Sequence, residues 1–252
     1  MKINAHVPTQ QYGFIELTDL PDDPKEIERI YNKYAETPIR LASGNRVELE
    51  AFVGGKIFYD DEKHEYTNEA GEVYLSGSQY AESFEKPFDK VGISQKMAKN
   101  GVKAEDIVAM WELAGEVSRT FGTAIHAALE LYNTHRGSSE ALEREYHIHS
   151  HPIIKKAVQS FYALHKEDAL SEVLVVDHAA KRAGQIDRLV IVDKAKKIAR
   201  VEDYKTNATI EKDLPKYWKQ LGFYSDIMRA DGWTMQPEVI HHWDGEWHRY
   251  TK

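Results

Sequence analysis

Three short runs in the second half of the chain bring together imidazole, carboxylate and ammonium side chains. They are Gly122–His126 (GTAIH), Gly184–Asp187 (GQID) and Asp203–Lys205 (DYK). Hydrolysis of a phosphodiester needs ligands for a divalent cation, a cation that activates water, and a positive group near the attacked phosphate. His126, Asp187 and Asp203 can supply the ligands. Lys205 can supply the positive charge, so the runs together suit metal-dependent cleavage of such a bond.

The second and third runs lie on two strands of a predicted hairpin. Residues Ala183–Val192 and Ile198–Thr206 are rich in branched aliphatic side chains, which is typical of strands. The polar segment Asp193–Lys197 between them is short enough for a hairpin loop. Because side chains alternate along a strand, we expect Asp203 and Lys205 to point to the same face of the sheet.

Symmetry of this hairpin about Ala195 would place Asp187 opposite Asp203. Two carboxylates that face each other across strands repel, so either one is protonated or a cation lies between them. A cation explains why Lys205 lies beside the pair without simply neutralising it. An ordinary charged hairpin edge is the alternative interpretation, but the ordered combination of the runs favours a metal site.

A long predicted helix, Glu105–Thr134, carries the histidine of the first run. His126 and Glu130 are four residues apart and share one face, so Glu130 can be an outer partner of His126 or Lys205. A helical histidine is often only structural, but the two later runs favour a ligand here. Apolar residues at spacings of three or four mark the expected packed face of the helix: Ile107, Trp111, Ala114 and Val117.

A fourth run, Gln220–Tyr224 (QLGFY), completes an order that resembles a known family of nucleases. The four runs are similar to the motifs of the PD-(D/E)xK nuclease superfamily, and within it to the RecB-type branch. That branch has Gly-x-x-x-His on a helix, Gly-x-x-Asp on a strand, Asp-x-Lys on the next strand and Gln-x-x-x-Tyr on a following helix. Phage exonucleases, the mitochondrial genome maintenance exonuclease and the CRISPR-associated adaptation nucleases share this pattern.

The resemblance implies a fold, a cofactor and roles for individual residues. The fold would be α/β, with a restriction-endonuclease-like core in which helices flank a central mixed sheet. The cofactor would be Mg²⁺ or Mn²⁺, bound by His126, Asp187 and Asp203. The backbone carbonyl of Tyr204 would be a further ligand. Lys205 would orient or deprotonate the attacking water.

Three further residues receive roles from the same resemblance. Gln220 and Tyr224 would complete the catalytic set by shaping the pocket or touching DNA. Glu172 matches an acidic position of the branch and would lie outside the direct ligands. The first hundred residues carry a weaker likeness to phage exonucleases, which includes the run Tyr74–Ser78, and no chemistry is assigned to it.

The expected organisation is a nuclease core at 101–252 preceded by an α+β elaboration at 1–100 that can contact DNA. Within the elaboration we expect a helix at Asp23–Ala35 and two short hairpins between Leu49 and Ser78. The segment Gln79–Lys99 combines aromatic and basic side chains, which suits either core packing or base stacking. Core packing is the favoured interpretation.

Composition limits the class of protein further. The chain has no cysteine, which excludes the iron–sulfur cluster of several RecB-type nucleases as well as disulfides. The net charge of −8 argues against tight binding to DNA, although lysines and arginines are concentrated in the second half. We therefore expect weak, salt-sensitive binding. No apolar run approaches a membrane span or a signal peptide, so we expect a cytoplasmic protein of a bacterium or a phage-infected cell.

The function predicted from the sequence is a metal-dependent DNA exonuclease in phage or bacterial recombination, repair or DNA processing. Its substrate would be single- or double-stranded DNA ends, and it could act as a homo-oligomer or with a recombination partner protein. Two alternatives remain. One is a structure-selective or restriction-type endonuclease on the same fold, and the other is a non-catalytic nucleic-acid-binding module.

Overall fold

The computed structural model describes residues 5–9, 13–17, 46–60, 63–99, 101–134 and 151–252 of the chain. Strands β1 (Ala5–Thr9) and β2 (Gly13–Leu17) pair antiparallel with each other. The helix expected at Asp23–Ala35 lies outside the described residues. None of the helices in the described ranges is both long enough and apolar enough to cross a membrane.

Four short strands form an antiparallel meander ahead of the helices. They are β3 (Arg46–Glu50), β4 (Lys56–Asp60), β5 (Glu65–Thr67) and β6 (Val73–Ser76). Each pairs antiparallel with the next, which confirms the hairpins expected in this segment. The turn between β3 and β4 requires glycine at Gly54, because its φ is +92° and an added Cβ would lie 2.1 Å from the carbonyl oxygen of Val176.

The described residues after β6 include five helices, and local signals explain where three of them begin. The five helices are α1 (Gly77–Glu82), α2 (Lys90–Met97), α3 (Ala104–Thr134), α4 (Pro152–Leu164) and α5 (Leu214–Ala230). α1 begins at a capping box in which the side chains of Ser76 and Gln79 each accept a hydrogen bond from the other's backbone N–H. α4 and α5 each have proline in their first turn, where its missing N–H costs nothing.

Six strands build the central part of the sheet. They are β7 (Ala169–Asp177), β8 (Arg182–Asp193), β9 (Ile198–Lys205), β10 (Thr234–Met235), β11 (Val239–Trp243) and β12 (Trp247–Thr251). β7, β8 and β9 pair antiparallel in sequence order, β11 runs parallel to β9, and β12 returns antiparallel to β11. The expected mixed sheet is therefore confirmed. α5 packs against the sheet in one apolar cluster. α3 and α4 pack together in a second apolar cluster.

The predicted register of the β8–β9 hairpin is also confirmed. Arg188 pairs with Glu202, and the same register continues to the pair Ile191 and Ala199, where the symmetry about Ala195 placed them. An irregularity follows between Ile191 and Asp193 next to the loop. The hairpin therefore brings the second and third sequence runs to the same end of the sheet.

Two strands share one edge of β8. β7 follows the other edge from Arg182 to Val190. On the shared edge, β6 pairs in parallel with Arg182 and Ala183 only, and the antiparallel ladder to β9 begins at Arg188. Within the described ranges, the stretch 184–187 has no ladder partner on this edge. The sheet therefore opens where the second sequence run lies.

Candidate functional site

Asp187 lies in this opening and is held by the backbone of β9. Its Oδ2 accepts a hydrogen bond of 2.9 Å from the backbone N–H of Tyr204. The ladder between β8 and β9 begins at the pair Arg188 and Glu202, directly after Asp187. Next to this pair, the Asp187 side chain makes the contact with the backbone of β9 that a further ladder pair would otherwise make. This bond fixes the carboxylate at the point where the strands separate.

Three potential metal ligands converge here from three elements. His126 of α3, Glu172 of β7 and Asp187 of β8 each offer one ligand atom, and these atoms all lie within 4.8 Å of one another. His126 Nδ1 lies 3.5 Å from Asp187 Oδ2. Glu172 was predicted to lie outside the direct ligands, whereas its carboxylate lies within this group. Its assignment to an outer role stays a prediction.

Glu172 reaches the group from an unusual backbone conformation. Its neighbours Ser171 and Val173 pair with Arg188 and Ile186 of β8, so Glu172 lies opposite Asp187. The φ of Glu172 is +50°. A positive φ is disfavoured for a residue with a Cβ, and such strain is concentrated at functional sites. Spacing in the sequence gives no sign of such a conformation, which explains why only the family resemblance pointed to this residue.

Asp203 and Lys205 form an ion pair next to the three ligands. Lys205 Nζ lies 2.6 Å from Asp203 Oδ2. Asp203 is only 3% exposed, and its Oδ2 makes no hydrogen bond of regular geometry within the described part of the chain. Asp203 is not one of the three residues whose ligand atoms converge, although its carboxylate and that of Asp187 repel each other. The ion pair thus adjoins the ligand group.

Burial and mutual repulsion change the proton affinity of these carboxyl groups. Burial raises the pKa of Glu172 to about 9, and the charges of Asp187, Glu130 and Asp203 add to this effect. Burial also raises the pKa of Asp203 to about 7, where Asp187 opposes and Lys205 favours the charged form. Burial raises the pKa of Glu130 as well. Without a cation, some of these groups hold protons near neutral pH.

The two basic groups at the site differ in charge. Burial lowers the pKa of His126, which favours the neutral imidazole that can bind a metal. Burial also lowers the pKa of Lys205, but attraction from Asp203 and Asp187 outweighs it and leaves the pKa above its ordinary value. Lys205 therefore remains an ammonium group, and its Nζ lies 4.7 Å from the centre of the Tyr217 ring.

These residues fit a hard divalent cation. The donors are carboxylate oxygens and one neutral imidazole, which are ligands that Mg²⁺ and Mn²⁺ accept. Asp203 adds a buried carboxylate beside them, although its Oδ2 is ion-paired with Lys205. A cation would replace the protons that mutual repulsion otherwise retains at the carboxyl groups. The assignment of the Tyr204 carbonyl as a ligand stays a prediction, as do the individual roles of His126, Asp187 and Asp203.

The fourth sequence run forms one wall of the site. The Tyr224 ring lies so close to Gly184 and Gly77 that a Cβ added at either would approach a ring atom to 2.6 Å. Gln220 Nε2 lies 3.3 Å from the Tyr224 hydroxyl, one turn along α5. Tyr224 is buried, so it packs directly behind the run that carries Asp187. Whether Gln220 and Tyr224 act in catalysis is not tested by this packing and stays a prediction.

A similar contact explains the glycine of the first run. A Cβ added at Gly122 would lie 2.8 Å from Oγ1 of Thr206, which directly follows the third run. α3 therefore crosses close to the end of β9. This close crossing brings His126, one turn later on α3, to the edge of the Tyr204 ring, with ring centres 5.6 Å apart.

An ionic cluster that was not predicted from the sequence lies on the opposite face of β9. The Glu202 carboxylate accepts hydrogen bonds from Arg188 Nε at 2.9 Å and Arg200 Nε at 2.6 Å, and it lies 3.0 Å from His241 Nε2. Glu202 is buried, but His241 and the two arginines lower its pKa to about 2 against the effect of burial. The cluster joins β8, β9 and β11 directly beneath Asp187 and Asp203. Alternation along β9 predicted the face of Glu202 but not these partners.

Comparison with known proteins agrees with the fold. The model of the PD-(D/E)XK nuclease superfamily matches residues 104–245, which is more than half of the chain. The chain therefore belongs to this superfamily and has its restriction-endonuclease-like α/β fold. The family model does not distinguish the RecB-type branch from others.

The other two comparisons add little. No curated protein matches this chain. A solved structure described as "Crystal structure of SSO0001" is similar, with a TM-score of 0.27 and 17% sequence identity. The match covers 49% of this chain and 63% of that one, so it spans less than two thirds of the length of that structure.

Proposed function

We propose that this nuclease is a Mg²⁺- or Mn²⁺-dependent DNA exonuclease of the RecB type. The observation that carries the proposal is the convergence of His126, Glu172 and Asp187 next to the Asp203–Lys205 ion pair. This combination provides cation ligands and a fixed ammonium group at one opening in the sheet. The order of the four sequence runs supports the RecB-type branch and, with it, a role in phage or bacterial recombination, repair or DNA processing.

The residues of the site would have two separate roles, cation binding and stabilisation of charge on the phosphate. A bound divalent cation would lower the pKa of a coordinated water and offset charge on the phosphate. His126, Asp187 and Asp203 would hold the cation, and Glu172 lies close enough to join them. Asp203 fixes the ammonium of Lys205, which would stabilise negative charge as it develops on the phosphate or position the water.

The test is cleavage of end-labelled linear DNA, single- and double-stranded, beside a covalently closed circle. We expect wild-type protein with Mg²⁺ or Mn²⁺ to degrade linear DNA only. Lys205→Ala should lose at least about a hundredfold in rate, because removing one preorganised electrostatic contact typically costs that much. Lys194→Ala is the matched control, since Lys194 lies in the exposed β8–β9 loop.

Each other result has a definite meaning. Cutting of the closed circle would replace the exonuclease by an endonuclease on the same fold. Equal cleavage by wild type and Lys205→Ala would refute the proposed site. Binding without any cleavage, at all metal concentrations, would favour a non-catalytic nucleic-acid-binding module, which the intact ligand group argues against.

A further inference from the structure

Three aromatic rings form a ladder from the core to the surface beside the candidate site. Phe223 of α5 is 2% exposed, Tyr80 of α1 is half-buried, and Phe84 is 51% exposed. The ring centres of Phe223 and Tyr80 lie 5.3 Å apart, and those of Tyr80 and Phe84 lie 5.1 Å apart in an edge-to-face contact. The exposed ring is therefore held by packed aromatic neighbours and presents a fixed apolar surface to solvent.

Lysine side chains surround the exposed end of the ladder. Lys219 Nζ lies 3.8 Å from the centre of the Phe84 ring, and no carboxylate of the described chain lies within ion-pair distance of it. Lys216, one turn earlier on α5, lies 3.6 Å from Glu82, so its charge is partly offset. At the end of the ladder, the Lys219 ammonium therefore covers part of the Phe84 ring, and about half of the Phe84 side chain remains open to solvent.

This surface and the candidate site share α5, which contacts both. α1 and α5 run antiparallel, because Gly77 abuts Tyr224 at one end and Phe84 contacts Lys219 at the other. Between Lys216 and Lys219, Tyr217 faces the ammonium of Lys205. Tyr217 and Lys219 are two residues apart on α5, so Lys205 and Phe84 contact different sides of the same helical turn.

We propose that Phe84 and Lys219 form a stacking platform for an unpaired base of the strand that enters the candidate site. The inference deepens the proposed function, on which it rests, and selects single-stranded DNA, or a single-stranded end, as the bound form. A base in a duplex has both faces covered, whereas an unpaired base can stack on an exposed ring while a nearby lysine contacts its phosphate. At a net charge of −8, stacking supplies affinity that general attraction to phosphates does not.

Phe88 provides a matched control on the same segment. It is 60% exposed, and its only described ring contact is with Trp111 at 5.4 Å. The nearby Lys90 contacts Glu112 instead of an aromatic ring. Phe88 therefore has the exposure of Phe84 without the cation or the connection to the candidate site, and a lone exposed phenylalanine of this kind is ordinary.

The experiment measures binding of a fluorescent single strand and of the matching duplex in EDTA, where cleavage is absent. We expect Phe84→Leu to weaken binding of the single strand by roughly five- to a hundredfold, the range for loss of one stacked base. Binding of the duplex should change less than about twofold. Phe84→Trp should restore binding, and Phe88→Leu should match wild type. Thermal unfolding of each variant checks that the fold is intact.

Several outcomes would overturn the platform. They are equal losses in Phe84→Leu and Phe88→Leu, equal losses for single strand and duplex, and absence of single-strand binding by wild type. A change of sedimentation coefficient in Phe84→Leu with unchanged DNA binding would instead assign the ring to contact between copies of the chain. The two proposals fail separately: stacking without cleavage would refute the exonuclease alone, and cleavage with unaltered binding by Phe84→Leu would refute the platform alone.

Discussion

Glu172 differs from the other carboxylates at the site because its backbone has a disfavoured conformation and its side chain is in a place that disfavours the negative charge. Its φ is +50°, and burial with three neighbouring carboxyl groups raises its pKa to about 9. A metal-free protein at neutral pH must therefore keep this carboxyl protonated, although it would be ionised in the unfolded chain. The site is thus destabilising without a cation and favourable with one.

We expect Glu172→Gln to have opposite effects with and without metal. In EDTA at pH 7 the variant should be more stable than wild type, by on the order of 1–3 kcal/mol, because it avoids the protonation cost. A raised carboxyl pKa makes wild-type stability fall as pH rises from about 4.5 to about 9, so the difference should grow over that window. Urea unfolding across this pH range measures it.

With saturating Mn²⁺, the same variant should gain less stability than wild type, because a potential ligand is lost. Glu69→Gln, in an exposed turn, should behave as wild type in both conditions. A variant less stable than wild type in EDTA, or one with an undiminished response to Mn²⁺, would contradict the placement of Glu172 among the ligands.

Residue types and spacing in the sequence predicted which individual residues belong to the site, but they did not predict which other side chains surround them. Asp187 and Lys205 were identified from the order of the runs, and in the structure both interact with Asp203. The partners of Glu202, by contrast, come from three separate segments, and no local pattern relates Arg188 to His241. A buried ionic cluster depends on distant pairing of strands, so the sequence alone does not reveal it.

Two glycines set the distance between α5 and the sheet. Gly184 on β8 and Gly77 at the start of α1 leave space that the Tyr224 ring fills. Glycine is required at both positions by volume and not by backbone conformation, since neither glycine has a positive φ. A side chain at Gly184 would force α5 outward at a position three residues from Asp187.

We expect Gly184→Ala to destabilise the protein by about 1–3 kcal/mol, because the added methyl group overpacks the Tyr224 ring. Its activity in the proposed reaction should fall by more than the loss of folded protein explains. Gly222→Ala is the matched control on α5: its Cβ would meet only the Lys252 ammonium at 3.6 Å. A helical glycine replaced by alanine should be neutral or stabilising by up to about 1 kcal/mol.

Urea unfolding and cleavage rates compare the two glycine variants. If Gly184→Ala matched Gly222→Ala in both, the close contact would have no role in positioning the site.

Elements were predicted well where local signals are sufficient. The β8–β9 hairpin has the expected register, and α3 spans the expected residues. The packed face expected for α3 was wrong at two positions, since Ala114 is exposed and Val117 is 61% exposed. Spacing identifies an apolar face but does not say which other element covers it. The parallel pairing of β9 with β11 likewise joins distant segments that no local pattern connects.

Charge is the property of the whole molecule with the clearest effect on binding. The net charge is −8, and three lysines of the described residues lie in the site or on the adjoining turn of α5: Lys205, Lys216 and Lys219. We expect single-strand affinity to fall with salt at a log–log slope of about −2, because about three phosphates are neutralised. Between 50 and 200 mM salt this slope corresponds to a loss of roughly fifteenfold.

Fluorescence anisotropy in a salt series measures this slope. Lys219→Ala should make it shallower by somewhat less than one, and Lys194→Ala should leave it unchanged. A slope steeper than about −5 would mean that an extended basic surface, beyond these three lysines, binds the strand.

The division of one edge of β8 between two strands also bears on the order in which the chain folds. Glu172, Asp187, Asp203 and Lys205 all belong to the continuous meander β7–β8–β9, whose contacts are local in sequence. Contacts of this kind form early, because closing short loops costs the least entropy. The parallel pair of β6 with β8 spans more than a hundred residues of chain and covers only two ladder positions. Most of the acidic centre is therefore built by the first unit to assemble, and His126 joins when α3 docks.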